Sequence, residues 1–277
     1  MPLDLGVFKT RALSAIAFGV IMLAALLGGK LPFIAVFAIV CFIASTEYLK
    51  IQEHIHKQAP NTTVPLLYAL SMTIFFLYLS EAGGIYFLEN IKQNRIAYIA
   101  TAALLLVMAM GMLNYGKVSL GLLSGYIYVP LGFAALAQCF RTNNFLPLAL
   151  VVLIWVNDTM QYVVGSLIGK HKMAPIISPK KTWEGTIGGS ALSIAVACVW
   201  GYFDKRFTMS TWLCLGFCAS IAGTLGDLLE SWLKRKAGIK DSGNIMPGHG
   251  GALDRFDSIL LAAPVLWVLL KFIVPIS

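Results

Sequence analysis

The stretch "KDSGNIMPGHGGALDRFD", residues 240–257, gathers residue types that suit phosphate chemistry. Asp254 and Asp257 stand at i,i+3, so on a helix both carboxylates point to one side. Two carboxylates placed that way are hard oxygen ligands. They suit Mg²⁺, which binds through a few carboxylates together with substrate phosphates. The glycines, Gly250 and Gly251 among them, let backbone N–H groups approach phosphate oxygens, and Lys240, His249 and Arg255 can neutralise phosphate charge. Upstream, "GTLGDLLESWLKRK" (223–236) sets Asp227, Ser231 and Lys234 at i, i+4 and i+7, on one helix face. Gly223 and Gly226 leave room beside Asp227 for another backbone or a ligand. A carboxylate so deep in an apolar segment needs a cation, either a metal or a basic side chain.

Two further motifs carry charge. In "ISPKKTWEGTIGGS" (177–190), Pro179 stops any preceding helix and Lys180 and Lys181 are adjacent cations. Ser178, Thr182 or Gly185 can cap the helix that follows, and two lysines beside a helix N-terminus make an anion site. In "WVNDTMQY" (155–162), Asp158 lies ~20 Å along its helix at ~1.5 Å per residue. Polar residues at that depth either mark a functional site or hydrogen-bond neighbouring helices. An acidic centre ringed by basic groups is the layout for phosphoryl or nucleotidyl transfer. No P-loop is present, because "GSLIGK" (165–170) is too short between its glycines and lacks the following Ser or Thr.

The elements that must position these residues are membrane helices. Of 277 residues, 58% are hydrophobic and 12% charged, against about 25% charged in soluble domains. An all-α, polytopic helix bundle is expected, with no separate soluble domain. About nine segments are long and apolar enough to span a bilayer: 11–27, 31–49, 63–80, 96–113, 118–140, 145–168, 187–203, 211–233 and 256–276. The first of these has no small-x-small cleavage site at its end and reads as a retained helix. The net charge of +8 is sorted by loop. With a cytoplasmic N-terminus, 14 of the 21 Lys and Arg lie on the cytoplasmic side, as positive-inside sorting requires. The same side receives all four motifs. No continuous basic face exists, so nucleic acid is not an expected partner. Cys41, Cys139, Cys198, Cys214 and Cys218 sit in apolar runs without ligand spacing and read as small apolar filler. His54 and His56 read as residues of a polar connection.

The two halves differ. Residues 1–140 carry few charges and read as about five scaffold helices. Eight of the 13 acidic residues fall between Asp158 and Asp257. The catalytic region is therefore placed at 141–277, with cytoplasmic loops 169–186 and 234–255.

The span Ser231–Asp257 closely resembles the signature of the phosphatidate cytidylyltransferases (CDP-diacylglycerol synthases). That signature reads S-x-apolar-K-R, four residues, K-D, then P-x-H-G-G and D-R-x-D. Its counterparts here are Ser231, Lys234, Arg235, Lys240, Asp241, Pro247, His249, Gly250, Gly251, Asp254, Arg255 and Asp257. "WVNDTMQY" and "SPKKTWEG" resemble the family's two other recurrent motifs. Met246 and Ala252 stand where larger or branched apolar residues are usual, and Gln161 where a smaller residue is expected. The resemblance covers about 145–277 strongly and the front half only in general character.

The resemblance implies transfer of the cytidylyl group of CTP to phosphatidic acid, forming CDP-diacylglycerol and pyrophosphate with Mg²⁺. It implies catalytic roles for Asp227, Asp254, Asp257, Lys234 and Arg255. The metal centre would be Asp227, Asp254 and Asp257, with Asp158 completing or orienting it. Substrate phosphates would be met by Ser178, Lys180, Lys181, Thr182, Ser231, Arg235, Lys240, His249, Gly250 and Gly251. A second cation such as K⁺, a homodimer and a bacterial inner membrane with the site facing the cytoplasm are further implications. Two other readings stand beside it. A CTP-dependent polyprenol kinase would release CDP rather than pyrophosphate. A secondary transporter would often show related halves or broken helices in both halves, whereas here the charges lie on one side of one half.

Overall fold

The computed structural model describes residues 5–57, 63–81, 119–245 and 250–272. The expected span at 96–113 and the side chain of His249 lie outside them. Eight helices occur among the described residues: α1 (Leu5–Leu27), α2 (Lys30–His56), α3 (Thr63–Glu81), α4 (Ser119–Thr142), α5 (Phe145–Ile168), α6 (Trp183–Phe203), α7 (Met209–Lys236) and α8 (Leu253–Phe272). Five stretches are long and apolar enough to cross a membrane: Lys30–His56, Gly121–Thr142, Phe145–Ile168, Trp183–Phe203 and Met209–Lys236. Leu13–Leu27 and Pro65–Ser80 are shorter apolar helices. The chain is thus an all-α integral membrane protein. Its helices leave large apolar side chains exposed, such as Leu31, Ile127 and Leu167, as lipid-facing surfaces do.

Three local features differ from the sequence expectation. His54 and His56 belong to the last turn of α2, where His54 Nδ1 lies 2.7 Å from the Lys50 carbonyl. The loop after α5 folds as an antiparallel hairpin of β1 (Lys172–Ala174) and β2 (Ser178–Thr182), pairing Lys172 with Thr182 and Ala174 with Ser178. Third, α7 contains a π-helical turn at Cys218–Ala222, which inserts one extra residue into the helix.

The chain divides into two compact units, residues 1–138 with 236–256, and residues 139–235 with 257–277. In the first, an aromatic core joins Phe37 to Phe33 (4.6 Å between ring centroids), Phe133 (5.7 Å) and Phe256 (5.9 Å). Tyr68 donates to the Leu122 carbonyl at 2.6 Å, and Tyr48 Oη lies 2.7 Å from Ser124 Oγ. These bonds fasten α4 to α2 and α3. The segment 236–256, placed by sequence in the catalytic loop 234–255, packs with this unit.

In the second unit α5 and α6 approach through glycines. A Cβ on Gly185 would meet the Gln161 carbonyl at 2.7 Å and the Gly165 Cα at 2.9 Å. Such close backbones are the usual use of small residues in membrane helices. At the other end of these helices, Trp200, Trp212, Phe145 and Phe207 cluster. Arg206 covers the Phe145 ring at 3.6 Å and donates from Nε and Nη2 to Asp204 at 2.7–3.0 Å. These hydrogen bonds hold the Asp204 carboxyl below its usual range.

Candidate active site

The hairpin presents one of its two lysines inward. Side chains alternate along a strand, so Lys180 is exposed while Lys181 turns in and pairs with Asp227 at 2.5 Å. Thr182 ends the strand and caps α6, accepting from Gly185 N at 3.2 Å. Of the three cap candidates Thr182 is the one used. Glu184, in the first turn of α6, accepts from the backbone of Lys170 and His171, which ties the hairpin's start to the helix. Ser178 pairs with Ala174 in the sheet. Arg235 donates from Nε to the Ile177 carbonyl at 3.3 Å, joining the end of α7 to the hairpin.

On α7, Ser231 donates to Asp227 Oδ1 at 3.2 Å, the i,i+4 relation expected from spacing. Lys234 was grouped with that face, but it pairs with Glu230 at 2.5 Å. Glu230 is fully buried, and a buried carboxylate without a cation would be costly. Sequence reasoning overlooked Glu230, although its i,i+4 lysine and its apolar neighbours were visible. Gly226 serves a neighbouring backbone, since a Cβ there would meet the Asp257 carbonyl at 2.5 Å.

Asp257 accepts from its neighbour Ser258 N at 2.6 Å and lies in electrostatic reach of Asp227, Asp158 and Lys234. Asp158 is exposed midway along α5, within reach of Lys181 and Asp227. Its polar neighbours act between helices: Gln161 donates to Thr224 Oγ1 at 2.6 Å and Asn157 at 3.4 Å. This accounts for Gln161. Thr159 bonds back to the Trp155 carbonyl of its own helix.

In the first unit the glycine-rich segment closes on two carboxylates. Asp254 Oδ2 accepts from Ser242 N (2.9 Å), Ser242 Oγ (3.0 Å) and Gly251 N (2.7 Å). Glu47, on α2, accepts from Ser242 Oγ (2.9 Å), Ala252 N (3.0 Å) and Leu253 N (2.8 Å). Gly250 has φ 85°, a left-handed conformation in which other residues are strained. A Cβ on Gly243 or Gly251 would run into the Glu47 carboxylate. These glycines therefore have a packing reason of their own. Lys240 and Arg255 are exposed. Glu47 was missed by sequence reasoning, although a lone carboxylate inside the apolar run 31–49 was the available signal.

Among the described residues no group of three His, Cys, Asp or Glu is close enough to hold a metal ion. Asp227 faces Lys181 and Ser231, and Asp254 is turned into its own loop. The arrangement does bring Asp158 and Asp257, from two other helices, within electrostatic reach of Asp227. Asp158 also reaches its partner Lys181, and Asp257 also reaches Lys234, which pairs with Glu230. The side chains named there sum to four carboxylates and two ammonium groups.

The model of the cytidylyltransferase family matches residues 9–273. The phosphatidate cytidylyltransferase of Staphylococcus aureus (strain COL) is 35% identical over 264 residues, covering 95% of this chain and 98% of the relative. The enzyme of the same name from Staphylococcus saprophyticus is 35% identical over 267 residues with the same coverage. That from Staphylococcus epidermidis is 36% identical over 264 residues, again covering 95% of this chain and 98% of the relative. With a match running from the first helix to the last and taking in every motif described above, the chain belongs to the cytidylyltransferase family.

Proposed function

We propose that this chain transfers the cytidylyl group of CTP to phosphatidic acid, giving CDP-diacylglycerol and pyrophosphate in phospholipid synthesis. The observation that carries this reading is the family match over nearly the whole chain to relatives named for that activity. A phosphate monoester is already anionic near neutral pH, so it attacks the α-phosphorus of CTP without a strong general base. The P–O bond to the β-phosphate breaks and pyrophosphate leaves. Catalysis is then positioning and charge neutralisation.

Mg²⁺ suits the carboxylates that the second unit gathers, since Asp158, Asp227 and Asp257 lie within electrostatic reach of one another and hard oxygen ligands favour it. Asp227, Asp257 and Asp158 would hold it in that unit, and the family resemblance also names Asp254 for a metal-binding role. When bound, Mg²⁺ would neutralise the triphosphate and polarise the α-phosphorus. Lys181, Arg235, Lys240, His249 and Arg255 would meet phosphate oxygens, and Thr182 would order the α6 N-terminus. About nine spans are supported by the apolar runs of the sequence, a cytoplasmic site by loop charge, and a bacterial inner membrane by the bacterial relatives. K⁺ as a second cation and a homodimer are supported by the family resemblance.

The test is incubation of the detergent-purified protein with cytosine-labelled CTP, phosphatidic acid and Mg²⁺, with a chelator control. Label in a lipid with pyrophosphate released is the expected result. Release of CDP, with the γ-phosphate passing to a lipid alcohol, would replace the reading with the polyprenol kinase.

A further inference from the structure

Glu47 is the least expected charge in the molecule. It lies well inside α2, a 27-residue apolar helix, and is 4% exposed. A carboxylate in that setting is costly unless it is paired or fully hydrogen-bonded. Here three donors meet it: Ser242 Oγ and the backbone amides of Ala252 and Leu253. The two amides lie at the start of α8, whose first N–H groups lack intrahelical acceptors and carry partial positive charge. Glu47 thus caps α8 from 206 residues away in sequence. Ser242 is shared, because its hydroxyl lies within hydrogen-bond distance of both Glu47 and Asp254.

The fit around the carboxylate is tight. Among the described glycines, a Cβ on Gly243 or Gly251 would collide with it, and a Cβ on Gly250 would collide with Asp254. Everything Glu47 holds lies in the segment that carries Lys240, Gly250, Gly251, Asp254 and Arg255. We propose that Glu47 is a positioning residue for this segment: it fixes the start of α8 and so the direction in which Asp254 presents its carboxylate. The N-terminal helices would then contribute to the site through this residue.

The activity arm of the test rests on the cytidylyltransferase reading, while a second arm does not. Glu47→Gln keeps the shape but sets an NH₂ against donors. Loss of such a supporting contact typically costs roughly 10–100-fold in activity or metal affinity. The expected result is a kcat reduced by that factor, a raised Mg²⁺ half-saturation, and faster hydrogen–deuterium exchange confined to 241–255. Ser242→Ala, which removes only the shared hydroxyl, should show the same pattern more weakly. Unchanged exchange in 241–255 for both variants would overturn the proposal. So would exchange that rises equally through α2, α3 and α4, since Glu47 would then hold the fold rather than the loop. If the wild-type protein makes no CDP-lipid, the functional reading fails, yet the exchange arm still decides for or against Glu47.

Discussion

The two units each hold carboxylates among apolar helices, but they satisfy them differently. Glu47 and Asp254 are met by neutral donors, the hydroxyl of Ser242 and backbone N–H groups. Asp227 and Glu230 are met by ammonium groups, Lys181 and Lys234. Asp158 and Asp257 stand near Asp227 and share those same cations. A carboxylate surrounded by N–H donors orders the backbone, and does so without any ion. A set of carboxylates outnumbering its lysines is where the proposed Mg²⁺ would sit. The first arrangement builds a loop, and the second is the one the proposed cation would complete.

Breaking the second arrangement should have the largest effect. Asp227→Asn removes the carboxylate on which Lys181 and Ser231 converge. It should lower kcat by about 10³-fold at saturating Mg²⁺, the scale of losing one preorganised electrostatic contact, with an unchanged size-exclusion profile. Asp254→Asn, although it falls in the first arrangement, should match it if Asp254 has the metal-binding role proposed above. Retention of more than about a tenth of wild-type turnover by either variant would remove that residue from the centre. Glu47→Gln comes next, in the range given above. Lys181→Ala separates the roles of a lysine that pairs with Asp227 before any substrate binds. The half-saturation for Mg²⁺, read by titration, should fall because Asp227 is released. The KM for CTP or lipid should rise about tenfold, one charge-assisted hydrogen bond's worth. A Mg²⁺ requirement that rises instead would mean that Lys181 supports the metal site.

Smaller effects sharpen the contrast. Thr224→Val removes the acceptor of Asn157 and Gln161 and should cost about 1 kcal/mol of stability. That would be seen as a lower Tm in detergent, with the Mg²⁺ dependence untouched. Lys180→Ala should change kcat/KM by less than about twofold, because an exposed surface charge contributes little. A larger loss would show that the exposed face of the hairpin also meets substrate.

Much of this was legible in the sequence. Apolar runs of 17 to 24 residues announce helices because a bilayer requires them, and α5 matches its expected bounds, 145–168. Thr182 read as a cap candidate, and the Asp227–Ser231 spacing became a hydrogen bond. What stayed hidden depended on distant partners. Glu47 and Ser242 are 195 residues apart, and no local pattern links them. Lys234 stands seven residues from Asp227 but four from Glu230, so the nearer pairing was readable, while the burial that makes Glu230 need it was not. The hairpin was invisible because three- and five-residue strands with Pro179 in one of them show no periodicity. Loop glycines suggested phosphate contacts, and the structure adds the two carboxylates that exclude any side chain there.

The π turn at Cys218–Ala222 acts as a phase shifter within α7. Each residue of an α-helix advances the azimuth by about 100°. One inserted residue therefore turns everything beyond it through roughly a quarter of a revolution relative to Trp212. Trp212 can face the aromatic cluster near one end of the helix while Asp227 faces Lys181 near the other, from a single uninterrupted rod. A chain one residue shorter between those two positions would have to surrender either its aromatic anchor or its ion pair.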